Sequence, residues 1–450
     1  MVLLRKTQHD LSFVMEDADM AISPLVPSPR IRSFDGLYDP LETFRRLRSE
    51  GIIGDFSYLH LAANRAEIGW SPLSYLRLLS GERCDQWRLK LLEVAHSAEL
   101  LGHKAVGYIG FDAVDGNVGT LPDGSGTGRP LIEFIIPGEV LTFSGSLVTH
   151  RTRGNIDLDR YLETRKPYPS NLDCVEPIRP ISETQESFFL QSVQKAIAIL
   201  SAGDIQKLVL SRYEAYEADF DPIVLLAALG QSENDTFLLC FGDLVAIVPS
   251  PELLLSARAK QIVTNPLAGT RPRGETPEED DRLRNELRGN HKEIVEHVLA
   301  VTTMLSELDS VCEQNALVLN RFMDIAAHRR VQHLSSVITG TLRPECEVLD
   351  ALWALFPSVT VTGIPKHTAL KLLRDLEPDR RCLYSGVVGW MCGSGDCRFS
   401  LAIRSVFQYG TRSFLQAGAG IMAESVAEAE LLEISYKLNG MREALARSTR

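Results

Sequence analysis

Nowhere in the sequence do apolar residues run for the ~18 positions that a membrane-crossing helix requires. The opening stretch, 1–20, is broken by Lys, His, Asp and Glu and lacks the apolar centre of a secretory signal. Location in the cytoplasm, without a membrane partner, is the expectation. Cysteine is sparse, eight in 450 residues, and scattered, which excludes a disulfide scaffold. Cys392 and Cys397 are close, but no second Cys or His pair stands near to complete a zinc site. The GSGD between them reads as a hairpin turn. Positive charge is also short: 47 Lys and Arg against 59 Asp and Glu leave a net charge of −12. That balance argues against a nucleic acid or an anionic membrane as partner, though a small anion needs only local cations. The Gly-rich run 115–130 has no following Lys-Ser or Lys-Thr, so it is no phosphate-cradling loop.

What is present is an ordinary globular composition, 44% apolar and 24% charged, enough for a sizeable core. Residues 1–100 are poorly patterned. SPLSYLRLLS (71–80) and 86–101 read as helices, AVGYIGFD (105–112) as a buried strand, and LIEFIIP and EVLTFSGS as two further strands. The polar, Pro- and Arg-rich 151–181 reads as a long connection. From Ser182 the pattern sharpens. Ser182 with Gln185 resembles a capping box ahead of a helix carrying Phe189, Val193, Ala196 and Leu200, which Gly203 closes. Strands and helices then interleave with hairpin-like connections. This is α+β with mostly antiparallel sheets rather than alternating βαβ units. The division expected is 1–181 as the N-terminal part and 182–450 as the catalytic region of one integrated domain.

Two helices carry paired glutamates: HKEIVEH, with Glu293 and Glu296, and EAELLEISYK, with Glu430 and Glu433. Residues three apart share a helix face, so four carboxylates could surround one point. Oxygen-only ligands suit a hard cation, Mg²⁺ above all. Either pair alone reads first as a solvated acidic face, and only the rest of the chain shifts that reading. Other polar residues stand in apolar contexts. Lys207 opens an apolar strand, as a snorkelling lysine or as a desolvated base. Glu252 precedes a leucine run, as a first-turn glutamate or as an acid of raised pKa. Gly269 and Thr270 offer backbone and hydroxyl to a ligand. His333 lies mid-strand, Tyr384 and Arg404 suit a carboxylate, and AGAGI (417–421) exposes bare backbone.

KLVLSR, SPELL, PLAGTRPRG, HKEIVEH, VQHLSSVITG, FPSVTVTGIPK, LYSGVVG, LAIRS, QAGAGI and the final Glu-rich helix run in the order found in the chorismate-utilising enzymes. The chain resembles that family: anthranilate, aminodeoxychorismate, isochorismate and salicylate synthases. The match covers about 190–440. The resemblance implies a large sandwich of antiparallel sheets ringed by helices. It implies Mg²⁺ held by Glu296 and Glu433, with Glu293 and Glu430 behind them, and chorismate as substrate. It places Tyr384, Arg404 and the Gly420 backbone at the enolpyruvyl carboxylate, Lys437 near the ring carboxylate and His333 beside the substrate. Ammonia-using members typically carry Gln at the position of Lys207, and aminodeoxychorismate synthases often carry Lys at that of Ala268. The resemblance therefore implies water attack at C2, with Lys207 as base and Glu252 as acid. Thr270 and Thr360 match the salicylate synthases, which also release pyruvate from isochorismate. The reading is a salicylate synthase serving siderophore or salicylate-derived metabolite synthesis, with an isochorismate synthase as the alternative. It is expected to act as a monomer without a glutaminase subunit. Val248 and Pro249 depart from the family's Gly and Tyr before SPE.

Overall fold

The computed structural model describes residues 29–79, 84–114, 130–154, 156–162, 178–230, 235–328 and 330–449. The Gly-rich run 115–129 and most of the 151–181 connection lie outside the described residues. Among the described residues the strands join into one network of twenty, and the pairings that build it are antiparallel. Burial alternates along Leu147–Thr152 and Gln261–Asn265, each with one face outward, whereas the central strand Lys207–Glu217 is buried at every position but its last and so is covered on both faces.

The buried side chains fall into three layers. An aromatic-rich layer between strands contains Tyr58, Tyr108, Tyr213, Phe237 and Phe407. One outer layer joins Phe189 and Val193 of helix Glu186–Ala202 to Ile434 and Leu438 of helix Ala427–Ser448. The other joins Leu91 of helix Cys84–Leu100 to Val301 of helix His291–Asp309 and Leu352 of helix Val348–Leu355. This is the α+β sandwich ringed by helices that the sequence implies. Strands on either side of position 181 share ladders. Phe56–Ala62 pairs with Thr236–Phe241, and Ala105–Ile109 pairs with Val387–Met391. No helix among the described residues is long and apolar enough to cross a membrane.

Several local expectations are corrected. SPLSYLRLLS is not a helix but the end of strand Arg65–Leu78, paired with Ile132–Ser144. The ladder shifts register between Pro72 and Ser74, so the proline, which has no donor, sits at an irregularity. LIEFIIP and EVLTFSGS form one strand, Ile132–Ser144, because Gly138 passes the Ser71 carbonyl where a Cβ would lie 2.7 Å from that oxygen. Ser182 makes no capping box. It is in a short strand, its hydroxyl is 2.8 Å from that of Tyr213, and Gln185 caps without a side-chain bond. Gly203 does close the helix, in the left-handed conformation. GSGD is the hairpin turn expected, between strands Val387–Met391 and Cys397–Leu401.

Candidate active site

The polar residues singled out above converge from strand ends and two helix faces. Lys207, at the start of its strand, is wholly buried, and its Nζ lies 2.9 Å from Oε1 of Glu296. Glu296 reaches that depth because Gly420, on strand Arg412–Ile421, has no side chain: a Cβ there would lie 2.3 Å from Oε1 of Glu296. The other three carboxylates also have cations of their own. Glu293 accepts from Nη1 of Arg271 at 2.9 Å and from the backbone N–H of Thr270 at 2.9 Å. Glu430 accepts from Lys292 at 2.6 Å, and Glu433 from Lys437 at 2.6 Å. Lys437 also donates to the Gly418 carbonyl at 2.7 Å.

The electrostatics follow from this pairing. Burial raises the Glu296 carboxyl, but the ammoniums of Lys207, Lys292 and Lys437 outweigh it and hold the group below its ordinary value. Burial, with Glu296 beside it, raises Glu293. Burial and then Glu433 push Glu430 up to about 7, despite Lys292. Among the described residues, no group of three or more His, Cys, Asp or Glu side chains is gathered closely enough to hold a metal ion. The four glutamates sit with their own partners rather than in a ready cage.

On the other wall, burial pushes Glu252 up to about 7, against the hydrogen bond of Thr360 and the charges of Lys207 and Arg404. Oγ of Thr360 donates to Oε1 of Glu252 at 2.7 Å and is itself 2.7 Å from Oγ of Ser358. Nε2 of His333 accepts from Nη2 of Arg404 at 3.1 Å, which leaves the proton on Nδ1, facing the Gly269 carbonyl at 3.2 Å and Oγ1 of Thr270 at 3.0 Å. Burial and Arg404 hold this imidazole well below its ordinary pKa, so it is neutral. Arg404 takes a positive φ of 56° in the break between strands Cys397–Leu401 and Val406–Tyr409. Burial pushes the Tyr384 phenol up to about 12, so it remains a donor.

A cavity with about 630 Å³ of empty space is lined by Glu252, Gly269, Thr270, Glu296, His333 and Thr360, and by Tyr384, Arg404, Gly420, Glu433 and Lys437. Of the residues singled out in the sequence, Lys207, Glu293 and Glu430 do not line it. Lys207 lies behind Glu296, and the other two lie behind the bulge at Gly269 and beside Lys292.

Sequence reasoning missed the counter-cations Arg271 and Lys292, although both stand inside motifs already quoted. It also missed His297. Its ring is buried, with Nε2 2.6 Å from Oγ of Ser336 and Nδ1 3.2 Å from the Ala268 carbonyl. It thereby ties the helix of Glu296 to the Ala268–Thr270 bulge. Gln416, on the cavity wall, donates to Oγ of Ser211 at 3.0 Å. Only its position beside AGAGI could have flagged it.

Residues 55–443 match the sequence model of the chorismate binding enzyme family. The chain is 30% identical over 355 residues to anthranilate synthase component 1 of Lactococcus lactis, covering 75% of this chain and 78% of that one. It is 35% identical over 262 residues to aminodeoxychorismate synthase component 1 of Bacillus subtilis, covering 58% of this chain and 56% of that protein. It is 36% identical over 259 residues to the salicylate synthase of Mycolicibacterium paratuberculosis, covering 57% and 58%. The chain thus spans little more than half the length of several of these relatives, and identity does not single out the salicylate-forming one. In fold it is similar to the menaquinone-specific isochorismate synthase of Escherichia coli, with a TM-score of 0.71, 22% identity and coverage of 94% and 96%. With the matched region running from strand Phe56–Ala62 into the final helix, the chain belongs to the chorismate binding enzyme family.

Proposed function

We propose that the chain adds water to C2 of chorismate and expels the C4 hydroxyl, giving isochorismate. The observation that carries this reading is a buried amine, Lys207, held directly behind Glu296 of the cavity, together with a buried carboxylic acid, Glu252, that lines the same cavity and whose pKa burial raises to about 7. An acid of that pKa is about half protonated at neutral pH, where general acid catalysis is most effective. Lys207, once Glu296 has turned away and its ammonium proton has passed to solvent, accepts a proton from water as the oxygen–C2 bond forms. The ring double bonds shift, the C4–oxygen bond breaks, and the proton of Glu252 leaves with that oxygen as water. One water enters and one leaves.

The remaining walls bind and orient. Arg404 and Tyr384 supply donors for one carboxylate of the substrate, and Lys437 a cation for the other. Neutral His333 keeps Arg404 aimed without adding charge. The Ala268–Thr270 bulge brings the Thr270 hydroxyl to the cavity. The all-oxygen donor set suits Mg²⁺, a cation that takes one or two carboxylates and keeps several waters. Glu296 and Glu433, which line the cavity, would hold it, with Glu293 and Glu430 behind. Bound there, it supplies positive charge for the ring carboxylate. An amine at position 207, rather than a carboxamide, favours water over ammonia, so no glutaminase partner is needed.

A second reading carries isochorismate on to salicylate and pyruvate. The similarity to the Mycolicibacterium salicylate synthase favours it, as do the threonine hydroxyls at 270 and 360 on the cavity wall. That elimination needs positioning more than a further acid or base. Incubation with chorismate and Mg²⁺, followed by separation of isochorismate, salicylate and pyruvate, decides between the two. Accumulating isochorismate supports the first reading, salicylate with equimolar pyruvate supports the second, and unchanged chorismate contradicts both.

A further inference from the structure

Pro251, Arg404 and Lys437 each have two exposures, one to the cavity just described and one to an adjoining chamber with about 960 Å³ of empty space. The far walls of the chamber come from the end of helix Pro222–Leu229, from His328 and Arg330 after strand Val318–Ala327, and from Tyr436 and Gly440 of the final helix. Among the described residues lining it, every formally charged side chain is basic: Arg330, Arg404 and Lys437. His328 adds a buried Nε2 with no hydrogen-bond partner. In the cavity itself each carboxylate is matched by a cation, Glu296 by Lys207 and Glu433 by Lys437, whereas the described lining of the chamber carries basic side chains and no acidic one, which attracts a dianion.

Arg330 is seated rather than loose. Its stem lies over Gly440, where a Cβ would sit 2.9 Å from Cδ and 3.0 Å from Nε. A glycine inside a helix costs about 1 kcal/mol relative to alanine, and here it makes room for that stem. Arg330 pairs with Glu443 at the surface, where both are water-screened and the pair holds weakly. Lys437, Gly440 and Glu443 follow at three-residue steps, so one helix face runs from the cavity to the rim of the chamber.

We propose that this chamber is the passage by which the dicarboxylate reaches the cavity and the product acid leaves, with Arg330 as its outer anion contact. The inference rests on the chorismate reading above and adds the route. It predicts that a plug in the chamber stops turnover while the catalytic groups remain intact.

Tyr436→Cys supplies the attachment point, because Tyr436 lines the chamber and is 44% exposed. The variant is treated with a small methyl thiosulfonate and, separately, with a bulky neutral biotin-bearing one. Leu432→Cys on the same helix, 52% exposed and outside the chamber, is the control, along with treated wild type. The expected result is a loss of about tenfold or more in kcat/KM with the bulky adduct only. Dithiothreitol restores it, and labelled Leu432→Cys is unaffected. Arg330→Glu gives an independent arm. Its kcat/KM falls severalfold at low ionic strength, the loss shrinks as salt rises, and kcat changes less than kcat/KM. Bulky-labelled Tyr436→Cys within about twofold of the unlabelled variant overturns the route, as does Arg330→Glu with wild-type kcat/KM at every salt concentration. Wild type that leaves chorismate unchanged overturns the functional reading itself, and this inference with it.

Discussion

The ammonium of Lys207 lies 2.9 Å from Oε1 of Glu296, and it is the carboxylate, not the amine, that lines the cavity. The proposed base is therefore latched behind a proposed cation ligand. On the proposed mechanism, a water in the cavity would meet Lys207 only when Glu296 turns away, so a cation that drew Glu296 aside would release the base.

Breaking one side of this latch strands a buried charge. Glu296→Gln is expected to lose about 3–5 kcal/mol of unfolding free energy, because the Lys207 ammonium remains without a counter-ion in the interior. Adding Lys207→Met should recover most of that loss, while both variants stay inactive. Urea unfolding of the two single variants and the double variant measures the coupling. Equal stability of Glu296→Gln and wild type would show that the pair is not formed in solution.

Glu252 gives a pH-dependent prediction of definite sign. Burial raises its pKa from 4.5 to about 7, so folding favours its protonated form. The stability this confers is complete below about 4.5 and is lost as pH rises through about 7. At about pH 9 the buried carboxylate costs on the order of 3 kcal/mol. Glu252→Gln should therefore melt near wild type at about pH 4 and clearly higher at about pH 9, while abolishing turnover. Wild-type activity should decline as pH rises through about 7, as the acid form is consumed.

Thr360 tunes the same acid. Its hydroxyl donates to Glu252 and lowers the carboxyl's pKa against the effect of burial. Thr360→Val removes that donor at nearly constant shape, so the Glu252 pKa rises and the alkaline limb of the kcat profile moves to higher pH. A profile identical to wild type would mean that Glu252 is not the titrating acid.

Much of the candidate site could be read from the chain because its parts repeat simple spacings. Glu293 with Glu296 and Glu430 with Glu433 fall on helix faces by the three-residue step alone. Lys207 and Glu252 stood out as charges beside apolar runs. The counter-cations did not stand out, since pairing Lys292 to Glu430 and Arg271 to Glu293 depends on how distant elements pack. The latch between Lys207 and Glu296 was hidden for the same reason, with 89 positions separating them. The strand Arg65–Leu78 misled because its leucines and Pro72 fit helical spacing as well as a strand with an irregular ladder. Its identity is settled by the partner Ile132–Ser144, which local pattern does not reveal.

Gly420 tests the geometry of the latch from the other side. A Cβ there would lie 2.3 Å from Oε1 of Glu296, so Gly420→Ala must displace that carboxylate. We expect a loss of at least about a hundredfold in turnover, with the fold retained, because displacement of a catalytic group by about 1 Å costs that much. Circular dichroism with steady-state kinetics reads both. Full activity in Gly420→Ala would contradict the position given to Glu296.

On the proposed mechanism, water activated by Lys207 becomes the new hydroxyl at C2. The most direct measurement of this is mass spectrometry of the product formed from chorismate and Mg²⁺ in ¹⁸O-labelled water, with ammonium present. The expected product carries a C2 oxygen from solvent, whether it is isochorismate or salicylate, and no nitrogen. A product carrying nitrogen at C2, or one whose C2 oxygen is unlabelled, would contradict it.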